Sequence, residues 1–81
     1  MSTKYNGHKN WNHWNVSLWI NNDEGLYSMV RDRLLLGRNR GYTRDQTAAA
    51  IKRELASNGI TKTPDGAPYS ASAIRAAMVD M

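Results

Sequence analysis

The stretch from Trp11 to Tyr27, WNHWNVSLWINNDEGLY, holds all three tryptophans of an 81-residue chain. Trp11, Trp14 and Leu18 stand at i, i+3 and i+7, the spacing of one helical face, and Trp19 lies on a neighbouring face. A buried tryptophan removes about 150–250 Å² from water. A chain of this length buries only around 60% of the surface its unfolded form exposes. The rings are therefore expected to form much of the core, and Trp11, Trp14, Trp19 and Tyr27 are its expected aromatic members. The competing expectation is an aromatic face kept exposed for a partner, because large apolar patches are uncommon on monomers that bind nothing.

Length makes this a single domain, and the absence of cysteine removes disulfides, thiolate zinc sites and thiol nucleophiles together. That pattern fits a reducing compartment, and a cytoplasmic location in a bacterial cell is the expectation. The opening MSTKYNGHKN is too polar for a signal peptide, and no apolar run approaches the roughly 20 residues of a membrane span. The net charge of +4 is unevenly placed. Residues 1–30 balance, with Lys4 and Lys9 against Asp23 and Glu24, so the excess falls wholly in residues 31–81. Within 31–53, Arg31, Arg33, Arg38, Arg40, Arg44, Lys52 and Arg53 face only Asp32 and Asp45. Such density points to phosphate backbones or an acidic protein surface and argues against an acidic mimic of DNA.

Read in order, the chain predicts an all-α domain of about four short helices. Residues 1–10 form an arm with an Asn6-Gly7 turn signal, held only if Tyr5 docks on the tryptophans. A tryptophan helix starts at Asn12 or His13 and runs to about Asn21, and a second helix from Asp23 to Leu36 is capped by Asn22 and ended by Gly37. Together they make a helical hairpin over 11–37. Leu26, Met29, Val30 and Leu34 are the apolar stripe of the second helix; Arg31, Asp32 and Arg33 read as its solvated side. Thr43-Arg44-Asp45-Gln46 is a capping box that opens a third helix with Ala48, Ile51 and Leu55 inward. Gly59 is placed for a left-handed helix end with Ile60 folding back on Leu55. Thr63-Pro64-Asp65-Gly66 reads as a type I turn. Ser70 or Ser72 then caps a fourth helix to about Asp80, with Ile74, Ala77, Met78 and Met81 inward. Residues 43–81 thus read as a helix-turn-helix-like unit.

Two resemblances accompany this reading. Asn6-Gly7, Trp14-Asn15-Val16, Leu18-Trp19-Ile20 and Asn22-Asp23-Glu24-Gly25-Leu26-Tyr27 resemble the pattern of a family of short uncharacterised proteins of phages and plasmids. His13 stands where that family has threonine, which implies a different start to the helix. Leu55, Asn58-Gly59-Ile60, Thr63-Pro64-Asp65-Gly66, Tyr69-Ser70-Ala71-Ser72 and Ile74-Arg75 are similar to the helical DNA-binding region that follows the catalytic domain of large serine recombinases, with Tyr69 in place of the usual tryptophan. The first resemblance implies a mobile-element, viral origin. The second implies a DNA-reading helix from Ser70, without the recombinase catalytic domain, for which the chain has no room.

Two functions follow as expectations. The first is a phage-type nucleic-acid-binding protein acting by occupancy, duplex DNA favoured, with Arg38, Arg40, Arg44, Lys52 and Arg53 on phosphates and Ser70, Ser72 and Arg75 positioning or reading the groove. A homodimer would suit so small a reader. The alternative is an anti-defence (anti-CRISPR-like) or host-takeover inhibitor that binds a bacterial defence or transcription complex through its Trp, Tyr and Arg side chains. No enzyme, cofactor or metal site is expected. His8 and His13 lack a third ligand in register, and the Asp23-Glu24 pair is explained by its place at a helix start.

Overall fold

The computed structural model describes residues 9–79 and 81. The expected arm, with Tyr5, Asn6-Gly7 and His8, lies outside them, as does Asp80. Four helices follow one another: α1 (Trp11–Asn22), α2 (Glu24–Asn39), α3 (Arg44–Ser57) and α4 (Ala71–Ala77). The domain is all-α as expected, and among the described residues the only extended pairing is a single antiparallel bridge between Lys62 and Pro68.

α1 begins earlier than expected, because the Asn10 side chain accepts the His13 backbone N–H at 3.0 Å. Asp23 then serves two helices at once. Its N–H donates to the Trp19 carbonyl to close α1, and its carboxylate accepts the Leu26 N–H at 2.9 Å to open α2. The cap of α2 is thus Asp23, not Asn22, and a one-residue joint replaces a loop between the helices. α2 also continues past Gly37 to Asn39. Gly37 is buried, and a Cβ there would stand 2.5 Å from Thr47 Oγ1, so this glycine lets α3 approach α2 closely. The break comes at Gly41, whose φ of 78° few other residues adopt.

The signals of the C-terminal half hold. Thr43 and Gln46 form the reciprocal capping box, with bonds of 3.1 and 2.8 Å. At the other end of α3, Gly59 is left-handed, its N–H donates to the Ala56 carbonyl, and the Ile60 N–H returns to the Leu55 carbonyl. Gly66 N–H donates to the Thr63 carbonyl at 2.9 Å, closing the expected turn. Ser70 caps α4 by accepting the Ala73 N–H. That helix is shorter than expected: the N–H groups of Met78, Val79 and Met81 bond three residues back, a tightening that ends the α-helix. Residues 58–70 connect α3 to α4, much longer than the roughly three or four residues of a helix-turn-helix.

The core is built from Val16, Ile20, Val30, Leu34, Ile51, Leu55, Tyr69, Ile74 and Met78, with alanines 48, 67, 73 and 77 between them. None of the expected core aromatics belongs to it. Trp11 is 38% exposed, and Trp14, Trp19 and Tyr27 are half-buried. Trp11, Trp14 and Leu18 do share a face of α1, but that face is opposite to the one carrying Val16 and Ile20. The physical reason is space and polarity. Helices that meet through alanine stand close, leaving volume for branched aliphatics but not for indoles, whose N–H also needs a partner when buried.

Candidate functional site

One polar node ties the two halves together and fixes where the candidate residues stand. Asn15, 1% exposed, donates through Nδ2 to Asp65 Oδ2 at 2.9 Å and accepts from the Thr63 hydroxyl through Oδ1. Trp19 Nε1 donates to the same Asp65 oxygen at 2.9 Å, and Thr63 Oγ1 also accepts the Ala67 N–H. The 63–67 turn is therefore fastened to the middle of α1. The bonds from Asn15 and then Trp19 hold the Asp65 carboxyl below the usual carboxylate range. Burial and then the charge of Asp23 push the Tyr69 phenol up.

With α4 so placed, its outward side carries Ser72, Arg75 and Ala76, which is i, i+3 and i+4, and Val79 follows just past its end. Arg75 near the end of α4 reaches Asp45 at the start of α3 at 3.2 Å, while Ala71 at the start of α4 shares a surface with Lys52, Arg53 and Ala56. The two helices therefore run in opposite senses.

The eight expected contact residues fall into groups. Arg44, Ser72 and Arg75 line a cleft of about 340 Å³ together with His13, whose Nε2 is 3.3 Å from Ser72 Oγ. Lys52 and Arg53 lie farther along α3, in a second open hollow of about 630 Å³ lined also by Ala49, Ala50, Ala56 and Tyr42. Arg38 and Arg40 stand at the end of α2, both exposed; Arg38 donates to the Met81 carbonyl at 3.4 Å. Ser70 is engaged as the cap, accepting the Ala73 N–H, and its hydroxyl lies 3.4 Å from that of Ser72.

Charge pairing separates these cations from the rest. Arg33, read from sequence as solvated, instead makes a two-pronged bond to Glu54 at 2.7 and 2.9 Å across α2 and α3. That bond holds the Glu54 carboxyl below its ordinary range and raises Arg33 further. Among the described residues Arg38, Arg40, Arg44, Lys52 and Arg53 have no side-chain carboxylate within 4 Å, although Arg38 reaches the Met81 main-chain oxygen, and Arg75 has Asp45 alone. Two members of this surface were not singled out from sequence for this purpose. His13 comes from 59 residues away and left no local signal. Tyr42 had one, being an aromatic directly after the Arg38-Arg40 loop. Among the described residues no group of three or more His, Asp or Glu side chains is disposed to hold a metal ion, and no helix is long and apolar enough to cross a membrane.

Against known proteins, the model of a family of unknown function, DUF7249, matches residues 1–81. The chain belongs to that family. No curated protein and no solved structure matches it.

Proposed function

We propose that this DUF7249 protein binds nucleic acid by occupancy, duplex DNA in the first instance. The observation that carries the reading is the set of five cations, Arg38, Arg40, Arg44, Lys52 and Arg53, with no described side-chain carboxylate in reach, spread over the α2 end, the cleft at the start of α3 and the surface farther along α3. An uncompensated array of this kind gains free energy by releasing counterions from phosphates. Arg44 and Lys52 are eight residues apart on one helix, about 12 Å along its axis, comparable with the width of the duplex major groove, about 12 Å. Ser72 and Arg75 on the outward side of α4 add a hydroxyl and a fork of donors for groove edges or phosphates. The resemblance of residues 55–75 to a recombinase DNA-binding region supports the same assignment.

Fluorescence anisotropy with a labelled duplex of about 20 base pairs, titrated at several salt concentrations, tests this. Affinity falls steeply with salt, and replacing Arg44 and Arg53 by alanine lowers the slope of log K against log salt by about 1.8. Absence of binding to duplex, single-stranded DNA and RNA at low salt ends the reading.

A second reading has its own observation. The outward face of α1, with Trp11 and Leu18 exposed, suits a protein partner such as a bacterial defence or transcription complex. Recovery of one stoichiometric, nuclease-resistant host protein, lost on Trp11→Ala and kept on Arg53→Ala, would favour it over the first.

A further inference from the structure

We propose that the cleft between the starts of α1 and α3 and the outward side of α4 is a phosphate-binding site; resting on the reading above, its ligand is one phosphodiester of the nucleic-acid backbone. Arg44 and Arg75 bring two guanidinium groups to the same hollow of about 340 Å³. Ser72 supplies a hydroxyl and His13 an imidazole nitrogen, already within 3.3 Å of each other. Guanidinium forks match the oxygen geometry of phosphate, and hydrogen bonds between ionised groups are shorter and stronger than neutral ones.

The hollow at Lys52 and Arg53 joins one ammonium and one guanidinium; half of its lining is alanine, and it offers no second guanidinium fork.

Asp45 is the one described carboxylate in the cleft, and it opposes an anion there. Its bond to Arg75 is exposed on both sides, which makes it a weak pair that a phosphate can displace. The pair also holds Arg75 over the cleft before a ligand arrives, so Asp45 acts as a gate on affinity rather than as a ligand. A divalent metal would need more than this single carboxylate.

Amide NMR of the full chain tests the site, by titration with inorganic phosphate and then with the dinucleotide TpT at fixed ionic strength. Saturable shifts are expected with both probes at His13, Arg44, Asp45 and Ser72 to Ala76. Arg44→Ala and Arg75→Ala each weaken binding about ten-fold or more, Arg75→Lys weakens it less, Asp45→Asn strengthens it, and Arg31→Ala leaves it unchanged. Well-dispersed spectra of the variants confirm that each is folded. Shifts that grow without saturation, or that follow all cations alike, overturn the site. Saturation by phosphate but not by TpT overturns the backbone assignment in favour of a free phosphate or monoester. If the Arg44→Ala, Arg75→Ala double variant binds a duplex with the wild-type salt slope, the site fails while the nucleic-acid reading stands. If phosphate and TpT saturate the cleft but no longer nucleic acid binds, that reading fails and the site survives.

Discussion

Replacing Asn15 by leucine keeps the branched skeleton of a side chain that is 1% exposed and removes its hydrogen bonds, with some added bulk where the amide stood. The consequences can be followed atom by atom. Asp65 loses one of its two side-chain donors, and the Thr63 hydroxyl, buried with its residue at 4% exposure, loses its acceptor. A buried donor left without a partner costs about 1–3 kcal/mol, and each ordinary hydrogen bond lost contributes a net 0.5–1.5 kcal/mol, roughly. The apolar leucine offsets part of this, so Asn15→Leu is expected to cost about 2–4 kcal/mol. In a domain of this size that lowers the melting temperature by roughly 8–30 °C. Urea denaturation followed by far-ultraviolet circular dichroism measures the first number, and a thermal scan the second. A second substitution sharpens the test. Thr63→Val in the Asn15→Leu background removes the orphaned hydroxyl, so the double variant should be more stable than the sum of the single losses by about 0.5–3 kcal/mol. Recovery stays incomplete because the Ala67 N–H loses its acceptor at Thr63. A loss below about 0.5 kcal/mol for Asn15→Leu, or strict additivity of the pair, would refute the claim that this node fastens the turn to α1.

Other consequences can be checked by similar means. Gly37→Ala adds a methyl 2.5 Å from Thr47 Oγ1 and is expected to destabilise, but in a Thr47→Ala background the same change should stabilise by up to about 1 kcal/mol through helix propensity; equal effects in both backgrounds would contradict the close approach. Asp65 and Glu54 have folded carboxyls held below their unfolded values of about 3.9 and 4.3. Their contribution is therefore fully present above those values and lost as pH falls through the lower folded ones. Melting temperature against pH should be level from 7 to about 5 and fall below about 4, with a smaller fall in Asp65→Asn. Acrylamide should quench Trp11 readily in a variant whose other tryptophans are phenylalanine, and Trp11→Ala should cost under about 1 kcal/mol; a protected, blue-shifted Trp11 would put the indole inside after all.

Local chemistry was legible in the chain, and pairing between distant segments was not. The Thr43–Gln46 box, the Gly59-Ile60 helix end, the 63–66 turn and the Ser70 cap each depend on residues within five positions of one another, so their spacing announces them. The inward face of α1 is a different kind of question. Trp11-Trp14-Leu18 and Val16-Ile20 both have helical spacing, and only the neighbours of α1 decide between them. Gly37 was misread for the same reason: a glycine that ends a helix and one that admits another helix look alike until Thr47 is seen beside it. In the candidate surface, the cationic density over 31–53 was visible, but its division was not. Arg33 is taken out by Glu54 and Arg75 is shared with Asp45, through contacts 21 and 30 positions apart.

The tie between Asn15 and Thr63 also sets a limit on how this chain can be made. A segment 48 positions long must be closed before the bond exists, and loop closure of that length is an entropic cost met only when distant contacts form together. During synthesis, α1 leaves the ribosome with only α2 to pack against until the turn and α4, its main partner, follow. The protein is therefore expected to acquire its native body in one late step, and neither half, expressed alone, should hold it.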